Sequence, residues 1–445
     1  MYKSKKIYLL LLFSLFSVTA YDKLLPQTYY VSIDGNDANL GNKESPFRTL
    51  QKATRLLKSG DILIVKSGVY REQNIALYAS GTKKNPIVVK AEKHGEVYLY
   101  GTRQKEMESG GGIGFYIDKS YVEIEGFHFE NYETGVTIEK AMAVHIKNSI
   151  FKNNGESGIT IIGSINPKIA YCQFIGEALS KSPMTAIQDY AIAVYFTNGA
   201  LIENNYIYGV HNQSISFKEG CNQGIARRNI IEGALYTAIY LGQNRREENR
   251  KISTNLVAEY NIVREARGYR VKSPIRIDNV RNVEVHDNYL EGFDKTNNAG
   301  GVNIFSDALG KIKIYNNIMS FAINNINSVG IYKSNTVSGS TVIEIEHNTF
   351  YDVYQDFSGE LLSNGSYFRE NIAQTYSKQY YTESGAINNY QGNLKLAFIK
   401  GKPQLLPFSF SPKNYDFKSY YDRLVGQFHL KEKSNPSGKG YTFSP

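Results

Sequence analysis

The stretch HNQSISFKEGCNQGIARRNIIEGALYTAIYLGQ, residues 211–243, decides the fold. Ser214-Ile215-Ser216-Phe217-Lys218 alternates polar and apolar residues, the period of a strand with one buried face. A short apolar segment built around Asn229, Ile225 to Ile231, follows. A second alternating strand, Ala238 to Leu241, comes next. The same strand–turn–strand unit recurs on both sides of the stretch, and such a period marks a solenoid.

Working outward, the pattern apolar-x-x-[small polar]-x-apolar recurs at Phe127, Ser149, Cys172, Asn205, Asn229, Asn261, Asn288, Asn317, Asn348 and Asn371. Phe127 replaces the polar residue in the first unit. The shortest gap is 22 residues, the length of one three-sided coil; longer gaps carry loops from a corner. Seven successive asparagines predict an internal ladder in which each amide bonds the next coil's turn. Asn also tolerates a left-handed turn backbone.

A second column of strands follows the ladder: Gly135–Lys140, Gly158–Gly163, Ala193–Asn198, Ser214–Glu219, Ala238–Gln243, Pro274–Asn279, Gly301–Ser306 and Gly330–Ser334. Its expected inward residues are apolar throughout, among them Val194/Phe196, Ile215/Phe217 and Ile239/Leu241. Lys333 would be a misfit, so the last strand is expected to end before it. The fold class is all-β, a right-handed single-stranded parallel β-helix of about ten coils.

The N-terminal segment provides a cap. Tyr29–Ser32 reads as a strand and Asp34-Gly35-Asn36-Asp37 as a turn. Ser45-Pro46 reads as a helix start, with Leu50, Ala53, Leu56 and Leu57 on one face. Strands Ile62–Lys66, Ile87–Lys90 and Val97–Tyr100 follow. The expected layout is a signal peptide over 1–20, cap and first coils over 21–120, β-helix over 121–390, and a C-terminal cap or tail over 391–445.

Residues 1–20 carry Lys3, Lys5 and Lys6, an apolar run from Ile7 to Val18 too short to span a bilayer, and the small-residue site Val18-Thr19-Ala20. This predicts export to an extracytoplasmic compartment without membrane insertion after cleavage. The chain has only two cysteines, Cys172 and Cys221, so no disulfide framework is implied. The formal charge is +9, and +6 without the three leader lysines. A basic exported chain suits an acidic polymer. No nucleotide loop, zinc spacing or Ser/His/Asp order is present. The expected partner is an acidic polysaccharide rather than nucleic acid, met by a monomer.

The outward residues define a candidate surface. Lys218 faces out; Tyr195, Tyr240 and Arg276 are expected in one line beside it, with Gly242 leaving room. Arg276 can hold a uronate carboxylate bidentately. Lys218 can act as a base if cations and burial lower its pKa. These parts suit β-elimination, in which a base removes the proton next to the carboxylate and a cation or metal stabilises the enolate. Arg276 with Asp278 can equally form a salt bridge between coils. Asp278 and Asn303 are further candidates for sugar contact. His211 suits either a sugar contact or a structural turn hydrogen bond. Arg227, Arg228 and Arg281 fall on another face. The run Arg245-Arg246-Glu247-Glu248-Asn249-Arg250 lies in a loop.

The N-terminal run YYVSIDGNDANLGNKESPFRTLQKATRLLKSGDILIVKSGVYRE resembles the opening of right-handed β-helix proteins of the pectate-lyase superfamily, above all family 9 polysaccharide lyases and chondroitinase B/alginate lyase-like proteins. Ser214-Ile215-Ser216-Phe217-Lys218-Glu219-Gly220 is similar to the strand bearing the family 9 catalytic lysine, which implies Lys218 as Brønsted base. The resemblance also raises calcium, for which Glu139, Asp189 and Glu219 are the available oxygen ligands. The chain has no Asp-Asp pair of the family 9 calcium cluster, and Ile239-Tyr240-Leu241-Gly242 stands where chondroitinase-like enzymes carry Arg-His-Gly. Two alternatives stay open: a non-catalytic glycan-binding β-helix, and a glycoside hydrolase using Glu139, Asp278 or Glu219.

Overall fold

The computed structural model describes residues 25–102, 111–176, 189–243, 251–264, 273–292, 300–305, 309–320, 329–334, 337, 340–361, 363–375, 390–391, 394–395 and 416–425. The leader, the 245–250 run and most of the tail lie outside them. Three parallel sheets of 14, 13 and 11 strands, here A, B and C, wind into one β-helix. The chain visits C, then A, then B in each coil, as in Thr134–Glu139, Val144–Lys147 and Ile150–Lys152. The rungs exceed the ten visible as polar corners, because coils before residue 121 pair in the same sheets without that signature. Among the described residues no helix is long and apolar enough to cross a membrane.

From Thr134–Glu139 to Gly300–Ile304, each rung of sheet C turns two apolar side chains inward. One row runs Val136, Ile159, Ile192, Ile215, Ile239, Ile275, Val302 and Ile331. Each fully buried chain of this kind contributes about 1.5–3 kcal/mol. Across the interior, Phe129, Phe151 and Phe174 stack at 4.8 and 4.9 Å. Gly135 and Gly158 face the latter two rings, and a Cβ there would meet them at 2.8 and 2.6 Å. The small residues of sheet C are thus the complement of the aromatic stack in sheet B.

The asparagine ladder is present without a break from Asn205 to Asn371. The Oδ1 of each member accepts the backbone N–H of the member one coil earlier, at 2.9–3.1 Å. The left-handed residue, however, is the one before each ladder position: Asn204, Arg228, Tyr260, Asp287, Asn316, His347 and Glu370 all have φ of 53–55°. Asparagine is therefore selected for its amide, while the strained corner falls on side chains of any kind. A second column, Ser164, Thr197, Cys221 and Ser253, lines the corner between C and A. The cysteines sit in different columns, both buried and free.

Several expectations shift. The cap helix α1 spans only Leu50–Thr54, with Thr49 as N-cap. Ser45 and Pro46 precede it because Phe47 pairs with Val31 and Asp37 gathers the N–H groups of Arg48 and Thr49. Leu50, Ala53 and Leu57 are buried as expected, whereas Leu56 is exposed. Lys333 belongs to the strand Val329–Lys333, pairs with Ile304 and is buried. Desolvation pulls its amine below the usual lysine value, partly offset by Glu360. A C-terminal helix α2, Phe417–Val425, packs Phe417, Tyr420 and Tyr421 on Ile230, Ile262, Tyr289 and Ile318, the outer face of sheet B midway along the stack.

Candidate functional site

Sheet C carries the candidate residues on its outer face. Its strand Gln213–Lys218 pairs with Tyr190–Tyr195 on one side and Thr237–Gly242 on the other. Phe217 points in and Lys218 out, as the alternation requires. The preceding coil is displaced by two residues from the sequence alignment: Ile192 and Val194 point inward, and Phe196 is an exposed corner residue with φ 50°. Consequently Tyr195 pairs with Lys218 instead of standing in line with Tyr240, and Tyr190, absent from the expected site, comes onto the face.

The Lys218 amine lies 4.5 Å from the Tyr190 ring centroid and 5.7 Å from those of Tyr195 and Tyr240. Such distances put the amine within cation–π range of all three rings. Lys218 Nζ also donates to Tyr190 Oη at 3.3 Å, and Asn212 Nδ2 donates to the same oxygen at 3.2 Å. Burial raises the Tyr190 phenol above its usual pKa, helped by the negative charges of Asp189 and Glu156.

On the far side of Tyr240 stands Arg276. Its guanidinium is 5.4 Å from the Tyr240 centroid and 4.4 Å from that of Phe305. Both cations therefore lie against one tyrosine. Arg276 pairs within its own strand, Nη2 to Asp278 Oδ2 at 2.7 Å, rather than between coils. Tyr240 Oη donates to the same carboxylate oxygen at 3.2 Å, and burial, then Asp278, push its phenol far up.

Three expected sugar contacts are instead internal. Tyr240 is 3 % exposed and Asp278 1 %, so neither offers a stacking face or a free carboxylate. Asn303 is fully buried, its amide spent on Ser273 and Gly300. Gly242 does not leave room beside Lys218; a Cβ there would meet the Asp278 carbonyl at 1.7 Å. His211 is bonded through Nδ1 to Asp189 at 3.0 Å and packs edge-on to Tyr236, a structural turn arrangement. Arg227 lies on sheet A, paired with Glu203, and Arg281 is also on sheet A.

The residues expected to hold calcium do not converge. Glu139 takes the Tyr116 hydroxyl and the Lys140 amine three coils away from Lys218. Asp189 precedes the strand Tyr190–Tyr195, while Glu219 follows the neighbouring strand Gln213–Lys218, at the opposite end of the pair. Among the described residues no three His, Cys, Asp or Glu side chains form a metal cluster. A different acidic column emerges at the corner between B and C: Glu133, Glu156 and Asp189 precede paired strand residues on successive coils. Burial, then repulsion from Glu133 and Asp189, raises the Glu156 carboxyl.

Two hollows, of about 340 and 730 Å³, open elsewhere, on sheet A and near the N-terminal coils. Neither touches Lys218. An extended polymer crosses a face rather than entering a pocket, so the convergence of cations and tyrosines is the better guide to the site.

The fold is that of a pectate-lyase-like right-handed β-helix. A family model described as a Pel9A-like right-handed β-helix region matches residues 29–180, and one described as a right-handed β-helix region matches 111–269. The chain is 31% identical over 117 residues to Uncharacterized protein YwoF of Bacillus subtilis (strain 168), a match spanning 26% of this chain and 24% of that one. Among solved structures, the GH136 lacto-N-biosidase of Eubacterium ramulus is similar at TM-score 0.55 and 15% identity, over 84% of this chain and 68% of that. The alginate lyase of Paenibacillus sp. str. FPU-7 is similar at TM-score 0.52 and 16% identity, over 74% and 99%. At such identities the likeness is one of fold.

Proposed function

We propose that this is an extracytoplasmic polysaccharide lyase that cleaves a uronate-containing glycan by β-elimination, with Lys218 as base. The carrying observation is that the Lys218 amine stands on the outer face among three tyrosines, with the Arg276 guanidinium across one of them. Two cations on one face favour a polyanion, and Arg276 keeps about a third of its side chain exposed. Arg276, part of whose charge Asp278 neutralises, serves through its exposed portion as the carboxylate-binding group, and Lys218 carries the proton chemistry. The glycan-active β-helices of similar fold, an alginate lyase among them, support this class of substrate. The leader-like residues 1–20 support export.

The test is incubation with polygalacturonate, alginate and chondroitin, following the ultraviolet absorbance of the unsaturated uronate product. Lys218→Ala should abolish it. Activity surviving that change removes Lys218 from the mechanism. One observation favours a second reading, glycoside hydrolysis: Glu156 and Asp189 lie at the same corner on adjacent coils, and a retaining enzyme uses a pair of neighbouring carboxyl groups. New reducing ends without unsaturated product would select it.

A further inference from the structure

Resting on the elimination reading, we infer that Tyr190 is the catalytic acid that protonates the leaving glycosidic oxygen, and that the substrate is a uronate whose C5 hydrogen and O4 lie on the same face of the ring. Elimination needs two proton transfers: one from C5 to a base, one to the departing O4. Arg276 is poorly placed for the second. It is bound to Asp278 and held between Tyr240 and Phe305, and a guanidinium does not release its proton in proteins.

The Tyr190 hydroxyl differs in each respect. Its oxygen accepts from Lys218 Nζ at 3.3 Å and from Asn212 Nδ2 at 3.2 Å. A phenol oxygen has two lone pairs, and both are occupied, so the O–H is left to donate outward. Its raised pKa keeps that proton on the oxygen at neutral pH.

The neutral Lys218 amine takes the C5 hydrogen as a proton. The C5–H electron pair forms the C4=C5 double bond, and the C4–O4 bond breaks with its electrons on O4. Tyr190 Oη–H gives its proton to O4. An ammonium and a phenolate then face each other, and direct transfer from Nζ to Oη restores both groups without solvent. Because base and acid are neighbours on one side of the substrate, the hydrogen and the leaving oxygen depart from one face. Gluco- and manno-configured hexuronates hold C5–H and O4 cis; galacturonate and guluronate hold them trans.

The experiment compares the full chain and Tyr190→Phe on polymannuronate, chondroitin, polygalacturonate and polyguluronate. The wild type should release unsaturated product from one or both of the first two and not from the others. Tyr190→Phe should lower kcat by about a hundredfold or more, the scale of a lost general acid. Circular dichroism and the melting temperature of the variant should match the wild type, since the ring remains. Product chiefly from the trans polymers, or a Tyr190→Phe variant within a few-fold of wild type, overturns this inference while leaving the elimination reading intact. No unsaturated product from any of the four overturns both.

Discussion

Replacing Asn261 by alanine should cost more stability than almost any other single change to a polar residue. Its Oδ1 accepts from Asn229 N at 3.1 Å and Asn229 Nδ2 at 3.0 Å, and its Nδ2 donates to Ala226 O at 2.9 Å and Asn288 Oδ1 at 3.0 Å. All of this is buried. The substitution strands the Asn229 N–H and one hydrogen of its Nδ2 where water cannot replace the partner, while Asn288 Oδ1 keeps the Asn261 N–H at 2.9 Å. Each stranded donor costs about 1–3 kcal/mol, so the total should be about 4 kcal/mol. Asn255 is the control. It belongs to an exposed row, donating to Asn222 at 2.9 Å; water takes over that bond, so its loss should cost only about 1–2 kcal/mol, from placing alanine at a left-handed φ of 55°. Urea unfolding of both variants, followed by circular dichroism, gives the comparison. A drop for Asn261→Ala no larger than for Asn255→Ala would refute the claim that the ladder stabilises the coils.

Two further expectations concern charge and thiols. Burial alone would raise the Glu203 carboxyl, but hydrogen bonds and charge from Lys168 and Arg227 outweigh it and hold it below its usual value. Its stabilising contribution is thus full above the unfolded value of about 4.3 and is lost as pH falls through the lower folded value. Glu203→Gln should therefore destabilise at pH 7 and converge with wild type in acid; an equal deficit at both ends of the titration would contradict it. Burial pushes the Cys172 thiol up to about 12 and the Cys221 thiol up to about 11. A thiol reagent at neutral pH should label neither in the native protein and both after unfolding, and rapid native labelling would show the corner columns to be open.

The repeat made much of this legible. Inward residues two apart, and an asparagine at a constant offset, are local signals that every coil restates. The errors arose where that local signal is silent. An insertion of variable length precedes Tyr190, and period-two alternation is unchanged by a slip of two residues, so the misaligned strand looked as good as the true one. That slip hid Tyr190 and misplaced Tyr195. Burial on the outer face was also invisible: Tyr240, Asp278 and Asn303 face away from the interior, yet neighbouring side chains cover them. The placement of α2 depends on contacts between residues more than a hundred positions apart, as in the hydrogen bond from Tyr421 Oη to the Asp287 carbonyl.

That last contact bears on how the molecule is finished. The rungs around Ile262 and Tyr289 can wind before the end of the chain exists, but they carry an oily outer stripe until Phe417, Tyr420 and Tyr421 come down on it. The stripe is therefore sealed from the side, by a helix that comes much later in the chain. A polypeptide that stops short of residue 417 would leave a greasy flank on an otherwise complete scaffold, an invitation to sticking that marks incomplete chains.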